Sequence, residues 1–580
     1  MSIDVRSATP IQLIALGGLL HDIGKLYYRA GVLPGDVDSV PGDHVQAGLA
    51  FARYLYGDHP VPVEVLEAIA FHHAKYLNNG SPHLDSMVPT TTAAWIVYEA
   101  DNIAAGSDRR EKEKNLPDGE GQSYPDRFDR CTSLLSAFHH LQQDTASPEY
   151  GYPLTLVKDK NFRQPIVYPS RDKRIGNVDY RELAHQSLRL LSEGRDHYRV
   201  SLNSLLQLME ATLSFIPSDT YSGRWADISL FEHLKLTAAL AVAMYTFHAE
   251  QAELADIKKL THWDMQDRHR DIERFVLLGG DLSGIQSFIY TISNQGALKL
   301  LRARSFYLEI LLEHVVDEIL DELELSRAHV IFSGGGRFTL LLPNTAKVKG
   351  CSDWERKFNN WLTEQFNGRL YLAISAQPCT AKQLMEAASE VSQALNQQLS
   401  TKKQRHYAND PDQLRLLLEP NKNTGTDECV VCHVDHVKLI DIDNGQRRCE
   451  FCGSLHNLGK QIMTAKYLVV QPDLGGALLL PGLKSPASLR LEKAPPVKLE
   501  SRERVYGINE WLSGSNVHAQ LWIGRYMPDN DALDLPDFKN LAEHATGIRR
   551  LAVLRADVDD LGTVFGERLK NQMNTLSRVA

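Results

Sequence analysis

The sequence predicts a multidomain α+β protein: a helical N-terminal domain, a β-α-β-β-α-β unit, a cysteine-bearing mixed segment and the start of a second strand–turn–helix unit. Three observations carry this. The first hundred residues show helical periodicity interrupted by His-Asp and His-His pairs. Between 275 and 378, apolar strands alternate with amphipathic helices. Two Cys-x2-Cys pairs follow, with sixteen residues between them.

Composition agrees. The 580 residues leave room for roughly three to five domains. Hydrophobic residues at 43%, charged residues at 23% and aromatics at 8% are ordinary globular usage and exclude a mainly disordered or fibrous chain. A net charge of −10 excludes a free-standing, non-specific nucleic-acid binder. Contact with nucleic acid would run through local basic patches or through partners. The N-terminal stretch lacks a basic flank and a small-residue cleavage site, so no signal peptide is read. No apolar run reaches ~18 residues, so no membrane span is expected. The expected location is a reducing cytoplasm.

Taken in order, residues 1–125 form the helical domain. Helices are expected at 11–28, carrying His21-Asp22, at 63–75, ending in His72-His73, and at 92–106, carrying Asp101. Residues 107–125 have loop chemistry. Residues 126–270 read as a linker and helical region, with strand-like PLTLV and PIVYP before helical periodicity returns at 180–251. Residues 271–405 supply the β-α-β-β-α-β order: FVLLGGDLSGIQSFIY, the amphipathic run after Leu298, a hairpin around SGGGRF, a helix and a final strand. Residues 406–545 are the zinc-bearing mixed α/β region. Residues 546–580 begin a second unit like the first.

Four constellations carry chemistry. His21, Asp22, His44, His72, His73 and Asp101 combine imidazole with carboxylate, which suits borderline divalent transition metals. Such an ion acidifies bound water for attack on phosphorus. Lys25, in LLHDIGK, completes the catalytic set with His21 and Asp22. Which of His44, His72 and His73 are ligands stays open. Cys429, Cys432, Cys449 and Cys452 have the spacing of a closed, structural zinc site; a redox pair or four buried thiols are the alternatives. Cys131, Cys351 and Cys379 read as core residues. Gly280, Asp281, Ser283 and Gly284, with Ser333, Gly334, Gly335 and Gly336, form Gly-rich turns able to approach a nucleotide phosphate. The hairpin tip ends in Arg337 and offers no carboxylate for a metal, and a bare tight turn is the alternative. Asp557 and Val558, in RADVDDLG, sit where a strand ends in an acidic turn, placing a carboxylate and a backbone carbonyl for metal and nucleotide; a solvated acidic loop is the alternative. Basic residues at Lys299, Arg302 and Arg304, at 171–174 and at 402–406 read as solvated faces.

With LLHDIGK, DISLFEH (227–233), LLGGDLSGIQSFIY, GALKLLRARSFYLE, SGGGRF, the four cysteines and LAVLRADVDDLGTVF in this order, the chain resembles the large subunit of type III-A (Csm) CRISPR–Cas effector complexes. The resemblance implies an HD domain that cuts single-stranded DNA with a Mn-, Ni- or Co-type metal. It implies two palm domains that bind ATP and Mg, with a zinc segment between them. It also implies cyclic oligoadenylate synthesis by a Gly-Gly-Asp-Asp hairpin in the second palm, switched on when guide RNA and its partner subunits capture target RNA. Carried over, the HD site falls on His21, Asp22 and Asp101, the degenerate hairpin on 334–337, and the second palm's first carboxylate on Asp557. No Gly-Gly-Asp-Asp occurs here, so residues 1–580 alone are expected to make no cyclic product. A stand-alone HD nucleotide phosphohydrolase and a non-catalytic scaffold are the competing readings.

Overall fold

The computed structural model describes residues 8–84, 88–109, 128–138, 150–156, 167–171, 175–261, 269–292, 297–408, 410–419, 427–435, 437–442, 446–472, 478–496, 503–509, 517–523, 542–543, 545–550, 552 and 575–579. Among the described residues, nine α-helices lie between Pro10 and Glu250. Thr9 and Gln12 cap each other's backbone at the start of α1 (Pro10–Leu20), and proline occupies its first turn. α2 (Gly24–Ala30) ends at Gly31, whose φ of 65° is the left-handed exit glycine allows. The single helix expected over 11–28 is therefore two. Residues 21–23 form a turn, with Ile23 N donating to Leu20 O at 3.2 Å and Lys25 N to Asp22 O at 3.0 Å. These i→i+3 bonds tighten the chain where the His-Asp pair sits.

α3 (His44–Tyr56) is capped by Asp43, which accepts from Gln46 N at 2.8 Å. α4 (Val63–Phe71) stops short of the expected 63–75. His72 is its C-cap, and His73 is extended at φ −104°, ψ 136°, which breaks the helix before α5 (Ala74–Asn79). α6 (Thr92–Asp108) starts where the buried carboxylate of Glu67 accepts from the backbone and hydroxyls of Thr90 and Thr91 at 2.7–3.0 Å. That pins the head of α6 to α4. α7 (Asn177–Val200), α8 (Leu202–Leu213) and α9 (Leu230–Glu250) follow. Ser229 caps α9 by accepting from Glu232 N. Of the strand-like pieces expected at 126–180, residues 153–156 of PLTLV form no strand. The described part of this stretch makes only single bridges, such as Leu135 to Gly151 and Gly151 to Ser170.

α1 packs against α4, α6 and α9. The fit depends on missing side chains: a Cβ on Gly18 would lie 2.8 Å from Ala238 Cα on α9, and one on Gly24 1.9 Å from the His44 carbonyl on α3. α9, from the stretch read as linker, thus belongs physically with the first hundred residues. It also touches the following sheet at its β3 strand.

That sheet is β1 (Phe275–Ser283), β2 (Val330–Gly334), β3 (Arg337–Pro343) and β4 (Tyr371–Cys379) in the order β2-β3-β1-β4, antiparallel throughout. The Ile285–Tyr290 and Ala297–Glu322 helices connect β1 to β2, and the Ser352–Phe366 helix lies between β3 and β4. The β-α-β-β-α-β unit is therefore formed as expected, with the ferredoxin-like strand order. The Ala388–Gln404 helix covers β1 and β4, with Leu395 and Leu399 against Gly279. Beyond it come the hairpin β5 (Leu439–Ile442) and β6 (Gln446–Cys449), the Glu450–Gln461 helix, and a second sheet. This sheet contains β7 (Tyr467–Pro472), β8 (Leu479–Leu480), β9 (Ala487–Glu492), β10 (Arg504–Ile508) and β11 (Ala519–Leu521), ordered β11-β10-β7-β9-β8. Asp557 and Val558 lie outside the described residues. Among those described, no helix is long and apolar enough to cross a membrane.

Candidate metal centres and nucleotide face

His21 is fully buried at the end of α1, and its Nδ1 lies 2.8 Å from Gly18 O. A carbonyl only accepts, so Nδ1 carries the proton and Nε2 presents a lone pair. His72 repeats the device, with Nδ1 2.7 Å from Ile69 O. From these fixed rings the site assembles. His21 Nε2 is 3.5 Å from Asp22 Oδ2 and 3.5 Å from Asp101 Oδ1, which α6 brings in. His233, on the first turns of α9, places Nε2 3.2 Å from the same Asp101 oxygen. The other oxygen of Asp22 faces the opposite way, 3.5 Å from both His44 Nε2 and His72 Nε2. His73 Nε2 is 2.9 Å from His44 Nε2.

Two donor groups result, each with its ligand atoms within 4.8 Å of one another: His21, Asp22, Asp101 and His233, and His44, His72 and His73. Asp22 stands between them. His21 Nε2, Asp22 Oδ1, Asp101 Oδ1 and His233 Nε2 are all buried without a hydrogen-bond partner. His21 Nε2, Asp101 Oδ1 and His233 Nε2 converge on one place while Asp22 Oδ1 faces His44 and His72, an arrangement that would be costly unless cations satisfied it. Burial pulls His72 and His233 down, but Asp22 holds the first and Asp101 the second above the usual histidine range. Burial pulls Asp22 upward, but Lys25 and His21 hold it well below the usual carboxylate range. Burial likewise raises Asp101, and the facing rings of His21 and His233 override that, holding it well below the usual carboxylate range. Burial pushes His44 down to about 4, and His72 beside it, with burial, pushes His73 to about 2. Both are neutral ligands at neutral pH. Lys25 Nζ sits 2.6 Å from Asp22 Oδ2 and donates to Ser218 O at 3.1 Å.

The structure thus brings together His21, Asp22, Lys25, His44, His72, His73 and Asp101. It adds His233, which sequence reasoning did not assign. The available signal was a lone histidine at the capped start of an otherwise apolar helix, within DISLFEH.

The cysteines form the second centre. The Cys429 turn closes with His433 N donating to Cys429 O, and Cys449 caps the Glu450–Gln461 helix by accepting from Cys452 N. All four Sγ atoms lie within 4.8 Å, and Cys432 and Cys449 are 3.7 Å apart. A disulfide would need ~2.05 Å. A tetrahedron with metal–sulfur bonds of ~2.3 Å has edges of ~3.8 Å, so the spacing fits an ion. Hydrogen bonding from Cys432 holds Cys429 far below the usual thiol range. Arg304 donates to Cys452 Sγ at 3.4 Å, a charge-balancing contact for thiolate.

On the ferredoxin-like sheet, Asp281 pairs across the ladder with Arg337. Its carboxylate is held by Arg337 at 2.7 Å and Lys403 at 2.8 Å. The oxygens are neutralised by protein cations rather than turned toward a metal. Gly280 makes room for the Phe338 ring, and Gly284, at φ 89°, for Arg369 O. Ser333 Oγ donates to Glu313, while Ser283 Oγ is buried without a partner. Gly335 and Gly336 turn the hairpin at φ 59° and 87°, and open space surrounds Gly335.

Fold and donors define a class: a helical domain of HD type around a divalent-metal centre, joined to a ferredoxin-like palm and a four-cysteine module. Family models agree, with the HD domain matching residues 2–106 and Csm1 subunit domain B matching residues 274–420. The chain is 34% identical to a "CRISPR system single-strand-specific deoxyribonuclease Cas10/Csm1 (subtype III-A)" of Mycobacterium tuberculosis, over 97% of this chain and 71% of that one. It resembles a solved Csm1–Csm4 cassette in complex with cA4 at TM-score 0.68 and 27% identity, covering 98% of this chain and 67% of that one. A cassette in complex with one ATP matches at TM-score 0.68 and 28% identity, covering 98% and 68%. The chain belongs to the Cas10/Csm1 family of type III-A CRISPR large subunits.

Proposed function

We propose that this chain is the large subunit of an RNA-guided type III-A interference complex and cuts single-stranded DNA at its HD centre. The observation that carries this is the convergence of buried, unpartnered donors of His21, Asp101 and His233, with Asp22 between them and the His44, His72 and His73 group. His21, Asp22, Asp101 and His233 would hold one divalent ion, and His44, His72 and His73 a second, with Asp22 shared. The histidine-rich donor set suits Mn-, Ni- or Co-type ions over Mg. Such ions supply acidified water and offset the phosphodiester's negative charge. The chain's own contribution is orientation. Gly18 O and Ile69 O fix the ring faces of His21 and His72, and Lys25 sets Asp22 while presenting a cation at the rim.

The other expected sites fit the same reading. Zn fills the four cysteines and holds the segment 427–461 folded. The palm binds ATP through its backbone and the open hairpin at Gly335, with no metal carboxylate of its own because Asp281 is spent on Arg337 and Lys403. Mg and the second ATP belong with Asp557 and Val558, and cyclic oligoadenylate synthesis with the completed second palm. Csm4, other subunits, guide RNA and target RNA are the partners, in the cytoplasm. The test is cleavage by the purified chain with Mn²⁺: labelled single strands are degraded, and the His21→Ala, Asp22→Ala double variant leaves them intact. Equal cutting by that variant refutes the assignment.

A further inference from the structure

The metal centre is not closed on all sides. His21, His72 and His233 are almost fully buried, whereas the Lys25 side chain is 17% exposed. Moving outward from Lys25, the next atom is Ser218 O. Asp219 follows, its carboxylate holding Arg224 at 3.0 Å and Arg109 at 3.6 Å, and its other oxygen accepting from Tyr221 N at 3.0 Å. Arg224 lies over the Tyr221 ring at 5.1 Å. Tyr221 meets Phe128 edge-on, with ring centroids 5.6 Å apart and the backbones bridged. Phe128 is 71% exposed. Alongside, Arg130 covers the ring of Tyr28, three residues beyond Lys25 on α2, at 4.5 Å.

An exposed phenylalanine held in place by a bridge and a ring contact is not accounted for by the core. It meets Tyr221, over whose ring Arg224 lies, and Arg130 is close by in sequence, on a chain whose net charge is −10. Three residues of extended chain span on the order of 10 Å, so Tyr221 lies within that reach of the carbonyl that Lys25 touches. Aromatic faces interleaved with arginines describe the way proteins hold single strands, with bases on rings and phosphates on cations. Paired bases cannot leave the stack to use such a ring, so the arrangement discriminates against duplex.

We propose that Phe128 and Tyr221, with Arg224, Arg109 and Arg130, form a docking track that stacks a base of single-stranded DNA and leads its backbone past Lys25 into the HD centre. This rests on the nuclease reading above and assigns its strand selectivity to residues outside the metal site. Asp219 is the strut that orders the two arginines, whose side chains are 32% and 35% exposed.

The test separates binding from cutting. Fluorescence anisotropy of a labelled oligothymidine is measured with the full chain and no added metal. Phe128→Ala is expected to weaken binding at least fivefold, the size of a lost base–aromatic stack. Phe128→Tyr, which keeps the ring, should restore it. Arg224→Ala should weaken binding and flatten its salt dependence. With Mn²⁺, Phe128→Ala should raise KM far more than it lowers kcat. Wild-type affinity in Phe128→Ala overturns the track and leaves the nuclease reading standing if the wild type still cuts. Loss of affinity in Phe128→Ala, together with a wild-type protein that fails to cut, would keep the track and overturn the nuclease.

Discussion

Replacing His233 with alanine removes the one imidazole that α9 contributes to the HD centre, 3.2 Å from Asp101 Oδ1. The chain would keep His21, Asp22 and Asp101 as donors at that group. Outer-shell changes around metal sites cost 10–100-fold in affinity, so losing a direct donor should cost at least about a hundredfold. Linkage turns this into stability. With Mn²⁺ at a hundred times the wild-type Kd, binding adds about 2.7 kcal/mol. In the variant, the same concentration equals its Kd, and the gain falls to RT ln 2, or about 0.4 kcal/mol. The assay is a pair of urea or thermal melts of each protein, with and without Mn²⁺. Any effect of the substitution on the metal-free fold cancels in the difference. A variant that keeps the full metal-dependent gain would show that His233 is a buried ring near the site and not a ligand, and the four-donor group would have to be redrawn.

Cys429→Ser should release zinc to well under one ion per chain and open the segment 427–461 to protease, since structural zinc contributes on the order of 10 kcal/mol or more to such modules; metal analysis by mass spectrometry reads it directly. Burial pushes Glu210 up to about 7 despite Lys235 nearby. A carboxyl raised in the fold costs nothing below its unfolded value of ~4.3 and most above 7, so Glu210→Gln should match wild type at pH 4 and gain stability between pH 5 and 8, up to about 3 kcal/mol. A pH-independent difference in melts would refute the shift. Arg270 donates twice to the buried carboxylate of Glu99, at 2.8 and 3.0 Å. Arg270→Met should destabilise by up to ~3–5 kcal/mol, softened by Arg274 nearby, and pairing it with Glu99→Leu should recover most of that loss in a double-mutant cycle.

The parts legible in the sequence are those whose determinants are local. Four cysteines within twenty-four residues announce a metal module by spacing alone, and the β-α-β-β-α-β order follows from the alternation of apolar periods. The helix boundaries at the HD centre were harder to read. Apolar periodicity runs straight through residues 11–28, and only the local bond of His21 to Gly18 O and the tertiary contact of α2 with α3 at Gly24 show why the chain turns there. His233 escaped for a different reason. It lies more than two hundred residues from His21, in a stretch whose composition says only that a buried helix begins. The surroundings of Asp281 are not legible in the sequence, because the cations that pair with it, Arg337 and Lys403, come from a facing strand and from a helix far along the chain.

The placement of α6 joins these observations. Asp101 lies near the middle of that helix, between two grips from the palm side of the molecule. On one flank Glu99 is clasped by Arg270, from the short segment that leads into β1. On the other, Gly106 admits Met385, from the Ala381–Glu386 helix after β4, so closely that a Cβ there would lie 2.2 Å from its terminal methyl. α9 adds a third constraint, since it carries His233 and packs on both α6 and β3. Close-packed interiors pass displacement on rather than absorb it. A shift of the palm sheet relative to α1 must therefore move Asp101 and His233 against His21 and Asp22. A change of a few tenths of an ångström at β1 or β4 is then felt at the metal donors themselves, which are set by distances of 3.2 and 3.5 Å with no slack from solvent. The HD centre is built from residues that the palm holds in place, and its geometry is a property of both.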